Sequence, residues 1–350
     1  MKDLQPKFKI LLVTHKPFCI PKGDFWLPIH AGREIAKEIS KDGVISDNNL
    51  KWLEENTIGD DTGDNISARN RYYCECSALY WAWKHYEEIG NPEYIGLNHY
   101  RRHFVFNDEY FMNHKNKCNR LSYIHENFID ENYINNIGLT KENIEKACAN
   151  YDIIVTKDSD FTSWGAKETI REDYEKSIPE MQVKDFDLMV QKIDELYPQY
   201  SKLTHNFING YNKCLFQMFI MKKDLFFEYC EFLFNILFSI ENEVDFSTYS
   251  TLGKRALGYL AEILLSIFVY KKFEENKKIL KLGVTHIEYP LNMEELKHII
   301  SEGCPSYFKY IKFKILSLIK KDKEKYKQKY KIIRKQRNTY HTVKRRINAN

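Results

Sequence analysis

The sequence predicts an α/β fold, with one domain over residues 1–300 that turns helix-rich in its second half and a basic helical tail over 301–350. Three observations carry this. Short apolar, β-rich runs at 9–15, 93–98 and 151–156 each end in polar residues, as buried strands entering loops do. Stretches of helical period alternate with them. The last 45 residues hold 16 basic and 2 acidic side chains, a net +14, which leaves −10 on the preceding 305.

In order, residues 9–15 (Lys-Ile-Leu-Leu-Val-Thr-His) form the first strand, and a loop with Pro17, Pro21, Gly23 and Pro28 follows. Residues 50–64 are polar, rich in Asp and Gly, and read as loop. Ser67 then precedes a helix over 68–86, where Tyr73, Cys76, Leu79, Tyr80, Trp83 and Tyr86 recur at spacings of three and four and mark one core-facing side. Residues 93–98 are a buried strand opening into His99-Tyr100-Arg101-Arg102-His103, and 151–156 are another of the same kind. Helices are predicted over 184–196, 224–243 and 255–270, with a strand at 218–221 and a closing strand at 285–289. No internal repeat appears, and no Pro- or Ser-rich linker divides the body.

The composition excludes collagen, a disulfide-rich miniprotein and a wholly disordered chain, with 43% hydrophobic residues, 15% aromatic ones, 14 Gly and 9 Pro in 350. No stretch is long and apolar enough to span a bilayer. Charges scattered through the first ten residues, without an apolar signal core, predict a protein made and kept in the cytoplasm. The eight cysteines show no repeated C-x-x-C pair and no histidine at zinc-finger spacing, so reduced, non-ligating thiols are expected.

Three constellations could carry chemistry. Gly59 to Ser67, with Asp60, Asp61, Asp64 and Asn65, leads into Arg69, Asn70 and Arg71. A Gly-rich turn entering a helix N-terminus suits an anionic or hydroxyl-rich ligand, and the three aspartates could hold a divalent cation. The alternative is a helix capped by Ser67 or Asn65 behind an Asx-rich turn. His99 to His103 stand at the carboxyl end of a buried strand, where open α/β sheets bind ligands; Arg101 and Arg102 could grip a diphosphate there, or pair with acidic residues of the body. Glu262 interrupts an otherwise apolar helix and could act as a general base with a raised pKa, or pair with Lys254 or Arg255. His205, Tyr211 and Asn212 precede the 218–221 strand and could line an acceptor site.

Together, Val13-Thr-His-Lys16, Gly63-Asp-Asn-Ile-Ser67 with Arg69 and Asn70, Tyr73-Cys-Glu75, Ala78-Leu-Tyr-Trp81 and Tyr94 to Arg102 resemble a bacterial family of capsular and exopolysaccharide glycosyltransferases once catalogued only as a domain of unknown function. Gly210-Tyr-Asn212, Met218 to Lys223 and Arg255 to Glu262 extend the resemblance over residues 9–289. It implies an enzyme with a GT-A-like, Rossmann-type sheet flanked by helices that depends on a nucleotide sugar, with a UDP-sugar as the donor and galactofuranose as a candidate for the unit moved. It also implies donor contacts from Thr14, His15, Lys16, Asp64, Asn65, Ser67, Arg69, Asn70, His99, Tyr100, Arg101 and Arg102, with Glu262 as the base of an inverting displacement. Where GT-A folds carry an Asp-x-Asp metal motif this sequence reads Asn98-His-Tyr-Arg-Arg102. Either the arginines replace the cation's charge, or a metal is held elsewhere, by His99 or Asp64 for instance.

The tail sets Phe308, Ile311, Ile315 and Ile319 on one helical face beside Lys309, Lys312, Lys320 and Lys321, the pattern of an interfacial amphipathic helix, and the basic run continues to Arg346. An anionic membrane surface bound through 307–346, with a lipid-linked glycan as acceptor and no nucleic acid, is the expected setting: cytoplasmic and peripheral at the inner membrane face. The rival is a non-catalytic membrane- or nucleic-acid-binding protein that uses the same tail.

Overall fold

The computed structural model describes residues 8–40, 43–114, 122–129, 132–160, 168–177 and 180–290, with isolated positions between 304 and 344. Two compact units divide the chain, residues 1–125 with 134–286 and residues 126–133 with 287–350. The second holds the basic tail. The membrane-binding helix expected over 307–321 and the run to 346 fall outside the described residues, apart from those isolated positions. No helix among the described residues is long and apolar enough to cross a membrane.

The strands, in chain order, are β1 (Phe8–Thr14), β2 (Trp26–His30), β3 (Ile58–Gly59), β4 (Tyr94–His99), β5 (Phe104–Val105), β6 (Tyr123–Phe128), β7 (Ile153–Thr156), β8 (Ser159–Asp160), β9 (Asn212–Lys213), β10 (Phe219–Lys222) and β11 (Ile279–Tyr289). The helices are α1 (Asp47–Asn56), α2 (Asn70–Tyr73), α3 (Cys76–Lys84), α4 (Asp108–His114), α5 (Tyr133–Asn136), α6 (Lys141–Asn150), α7 (Ile170–Ser177), α8 (Val183–Leu196), α9 (Pro198–Ile208), α10 (Lys223–Glu241) and α11 (Ala256–Glu274). The main sheet runs β3-β2-β1-β4-β10-β7-β11-β5. Strands β1 to β4 are mutually parallel, β7 and β11 are parallel, and β10 runs antiparallel to β4 and β7 on either side.

β1 and β4 are buried along almost their whole length, as parallel strands covered on both faces must be. The 19-residue α10 and α11 pack against each other, and α10 also against α3; all three share the core with the inward residues of β1, β4 and β10. α11 is apolar almost all round, which is why it lies buried along its length.

The predicted α/β class and most elements agree with this architecture. Two expectations are corrected. Residues 50–64 are not all loop: Ser46 caps α1 by accepting from the Asn49 amide at 3.3 Å, Leu50 and Leu53 bury one helix side, and β3 follows. The single helix expected over 68–86 is instead a 3₁₀ turn (Ser67–Arg69), then α2, then α3, broken at Cys74 where φ is +51°. The Asn70 amide bridges the break, donating to the Cys74 carbonyl at 2.6 Å and to Ser77 Oγ at 2.8 Å. Gly258 of α11 lies against the bend so closely that a Cβ there would stand 2.8 Å from Cys74 Sγ.

Candidate active site

β4 ends in a tight turn, with Tyr100 N–H donating to the Val13 carbonyl of β1 and Arg102 N–H to the His99 carbonyl. Beside it runs the segment entering β10. Leu215 N–H donates to Thr156 Oγ1 at 2.9 Å and Cys214 N–H to Ser266 Oγ at 3.1 Å, which anchors the segment to β7 and α11. It then turns through two consecutive left-handed residues, Phe216 (φ +70°) and Gln217 (φ +46°). That conformation is rare for any non-glycine residue and unfavourable for a bulky one.

The turn lets Phe216 make three contacts. Its N–H donates to Glu262 Oε2 at 3.3 Å, its carbonyl accepts from His99 Nε2 at 2.6 Å, and its ring lies 4.1 Å beneath the Arg102 guanidinium. A carbonyl only accepts, so the His99 proton sits on Nε2. Burial, with Arg102 next, drives the His99 pKa down to about 3, and the ring is neutral at any working pH. Its Nε2 is therefore committed to the fold rather than open to a metal.

Glu262 projects from α11 into this group. Burial raises its pKa, Lys213 and Arg102 lower it, and the nearby carboxylate of Glu75 raises it further. Arg102 in turn feels Glu262, Arg101 and Glu75. The expected partners Lys254 and Arg255 do not hold Glu262; the Arg255 Nε donates to Cys74 Sγ at 3.2 Å. Glu75 was not singled out in the sequence, although it stands within the resembling Tyr73-Cys-Glu75. The signal was the one that flagged Glu262, a lone acid in an apolar helical stretch. The break at Cys74 sets its carboxylate 4.0 Å from His99.

Of the residues expected to contact a donor, His99, Tyr100, Arg101, Arg102 and His15 gather at this edge of the sheet. The His15 ring meets Tyr100 edge-on at 5.5 Å, and Arg101 lies 5.9 Å from the Tyr100 ring. Thr14 shapes the neighbouring loop instead, its hydroxyl donating to the Lys16 carbonyl and accepting from the Lys16 N–H. The Gly-Asp loop folds on itself. Asn65 accepts from the Ser67 amide, Ser67 Oγ donates to Asp60, and Tyr80 donates to Asp64 at 3.0 Å. Arg69 pairs with Glu241 at 2.8 Å, and Asn70 holds the Cys74 bend. The Asx turn is present, Asn65 accepting from Ser67 N–H, but neither Asn65 nor Ser67 caps a helix: the long helix N-terminus expected there is a three-residue turn with Ile66 at its N-cap and no side-chain cap. Asp60 is its anchor. Its buried carboxylate accepts from Gly32 N, Arg33 N, Ser67 Oγ and Ser77 Oγ, four donors that oppose the rise burial imposes on its pKa. Among the described residues no group of three or more His, Cys, Asp or Glu is arranged to hold a metal ion.

The three residues expected at an acceptor site are not drawn to Glu262. His205 pairs with Asp194 at 2.9 Å between α9 and α8, Tyr211 is exposed, and Asn212 pairs with Asp160 in the two-stranded β8-β9 sheet. Only its neighbour Lys213 reaches the site's electrostatics, while holding Asp173 at 3.0 Å.

Among solved structures the chain is similar to the apo structure of WbbM, a bifunctional glycosyltransferase, at 30% identity with a TM-score of 0.68. The match takes in 81% of this chain and 45% of that one, so the chain spans less than half the length of its structural relative. That neighbour accords with a GT-A-like arrangement of sheet and helices. No curated protein matches the chain. The model of one family, described as a domain of unknown function (DUF4422), matches residues 9–277, and the chain belongs to that family.

Proposed function

We propose that the chain is a glycosyltransferase that moves a sugar from a nucleotide-sugar donor to a hydroxyl of a glycan acceptor. The observation that carries this is the meeting of a buried carboxylate, Glu262, with the Arg102 guanidinium around one residue, Phe216. The similarity to WbbM supports it independently.

In the reaction proposed, the acceptor oxygen attacks the anomeric carbon while its proton passes to Glu262. The bond from that carbon to the nucleotide diphosphate breaks, and the leaving oxygen keeps the electron pair. Arg101 and Arg102 stabilise the charge that develops there, with Tyr100 and His15 flanking the nucleotide. Attack opposite the leaving group inverts the anomeric centre. Lys213 and Arg102 favour the ionised Glu262 that a base must start from, against burial and Glu75. A UDP-sugar donor, galactofuranose as the unit moved, a lipid-linked acceptor in capsule, O-antigen or exopolysaccharide assembly, and a tail held on the inner membrane face complete the proposal.

The deciding experiment is calorimetry of the purified chain against nucleoside diphosphates and nucleotide sugars, with Mn²⁺ and with EDTA, followed by transfer assays on the donor that binds. One nucleotide sugar should bind and turn over, and Glu262→Gln should abolish turnover while the fold persists. Absence of nucleotide binding by a folded protein overturns the proposal and favours a binding protein.

A further inference from the structure

We propose that Tyr123, His125, His286 and the ring of Phe216 form the platform on which the terminal sugar of the acceptor lies. This rests on the glycosyltransferase proposal and adds where, and by what chemistry, the second substrate is held. Val284 N–H donates to the Ser122 carbonyl, which brings the start of β6 beside β11 and sets Tyr123 near His286. Four rings then adjoin. Tyr123 lies 5.2 Å from His125, 5.6 Å from Phe216 and 6.0 Å from His286, and His125 lies 5.5 Å from His286.

None of the four is core. His125 is exposed and the other three are partly exposed, in contrast to the buried Tyr200–Phe232–Phe268 cluster of the core. A sugar ring has an apolar C–H face and a rim of hydroxyls. Aromatic faces take the first, and imidazole nitrogens take the second. Burial, with Arg102 and Arg101 next, holds His286 neutral down to about pH 4, so its ring brings no charge to the platform.

The platform adjoins the chemistry through Phe216. That residue's ring contacts Tyr123 and its amide meets the Glu262 carboxylate at 3.3 Å, so a sugar on the platform lies beside the base that must take its proton. Arg102 covers the same Phe216 ring at 4.1 Å. The anionic part of the donor belongs with the arginines and the uncharged ring of the acceptor with Tyr123 and the imidazoles, which carry no carboxylate or ammonium group to suit an ion.

The test is steady-state transfer by the full chain from whichever nucleotide sugar it turns over to a panel of methyl hexosides. Tyr123→Ala and His125→Ala are expected to raise the acceptor KM about tenfold each without a matching rise in donor KM, and Tyr123→Phe to restore most of it. His125 is exposed, so its variant keeps the proposal testable if Tyr123→Ala unfolds. An unchanged acceptor KM in folded variants, or a rise in donor KM instead, overturns the platform while leaving the glycosyltransferase proposal standing. Failure of the unaltered chain to turn over any donor, by transfer or by hydrolysis, removes both.

Discussion

The backbone of Phe216 joins His99 to Glu262: its carbonyl takes the His99 Nε2 proton at 2.6 Å and its amide points at Glu262 Oε2 at 3.3 Å. One left-handed residue thus fixes the end of β4 against the middle of α11. The turn should pay for itself in function. Phe216→Gly suits φ +70° where Phe216→Ala does not, so the Gly variant is expected to be more stable than the Ala variant by about 1 kcal/mol. Both lose the face beneath Arg102, and both are expected to lose activity. Thermal melts paired with transfer rates check this, and an Ala variant as stable as the Gly one would show that the turn carries no strain.

Replacing Glu262 by Gln should lower kcat by about 10²- to 10⁴-fold, the usual worth of a positioned base. Stability should move the other way. The Glu262 pKa is raised by burial, so its contribution to stability is present below the unfolded value and lost as pH rises through the folded one. At neutral pH the ionised form costs stability, and Gln removes that cost. A melting temperature at or above that of the unaltered chain, measured beside the lost turnover, is the expected pair of results.

The acid limb of kcat/KM should follow the same carboxyl. Activity falls as pH drops through the raised pKa of Glu262, above the range of an ordinary glutamate. Glu75→Gln removes the like charge that helps raise it, so the limb should shift to lower pH in that variant. His99 cannot produce the limb, being neutral down to about pH 3. A pH profile unmoved by Glu75→Gln argues against Glu262 as the titrating group.

Arg101→Ala should weaken nucleoside diphosphate binding about tenfold with little change in melting temperature, since Arg101 is only partly buried and touches the Tyr100 ring. Calorimetry with the diphosphate that binds the unaltered chain is the measurement. Equal affinity in the variant removes Arg101 from the leaving-group site.

Asp60→Ala should act on folding. Four donors lose their acceptor in a buried site, a loss of about 3 kcal/mol or more, read from the denaturant midpoint. A small loss would mean that water replaces the carboxylate.

Legibility in the sequence followed the range of the interactions involved. The strands ending at Thr14, His99 and Thr156 were legible because burial on both faces requires uninterrupted apolar runs. Glu262 was legible because a lone acid interrupts such a run. The break at Cys74 was not, since it depends on Gly258 nearly two hundred residues along the chain, and helical spacing continues unbroken across it. Tyr123, His125 and Phe216 carry no periodic signal, and only the pairing of distant strands brings them together. Asp60 and Asp64 looked like ligands because an acid that accepts from the protein and one that awaits an ion are spelled alike.

β10 runs against both of its neighbours, with Phe219 opposite Leu97 on one side and Val155 on the other. Its entry therefore lies where β4 and β7 exit, and residues just before a strand share one rim with residues just after two others. The consequence is a division of labour. The register of Phe219–Lys222 keeps the scaffold in place, while the segment over residues 214–217, lying outside the ladder, is given over to the site, where Phe216 meets His99 and Glu262.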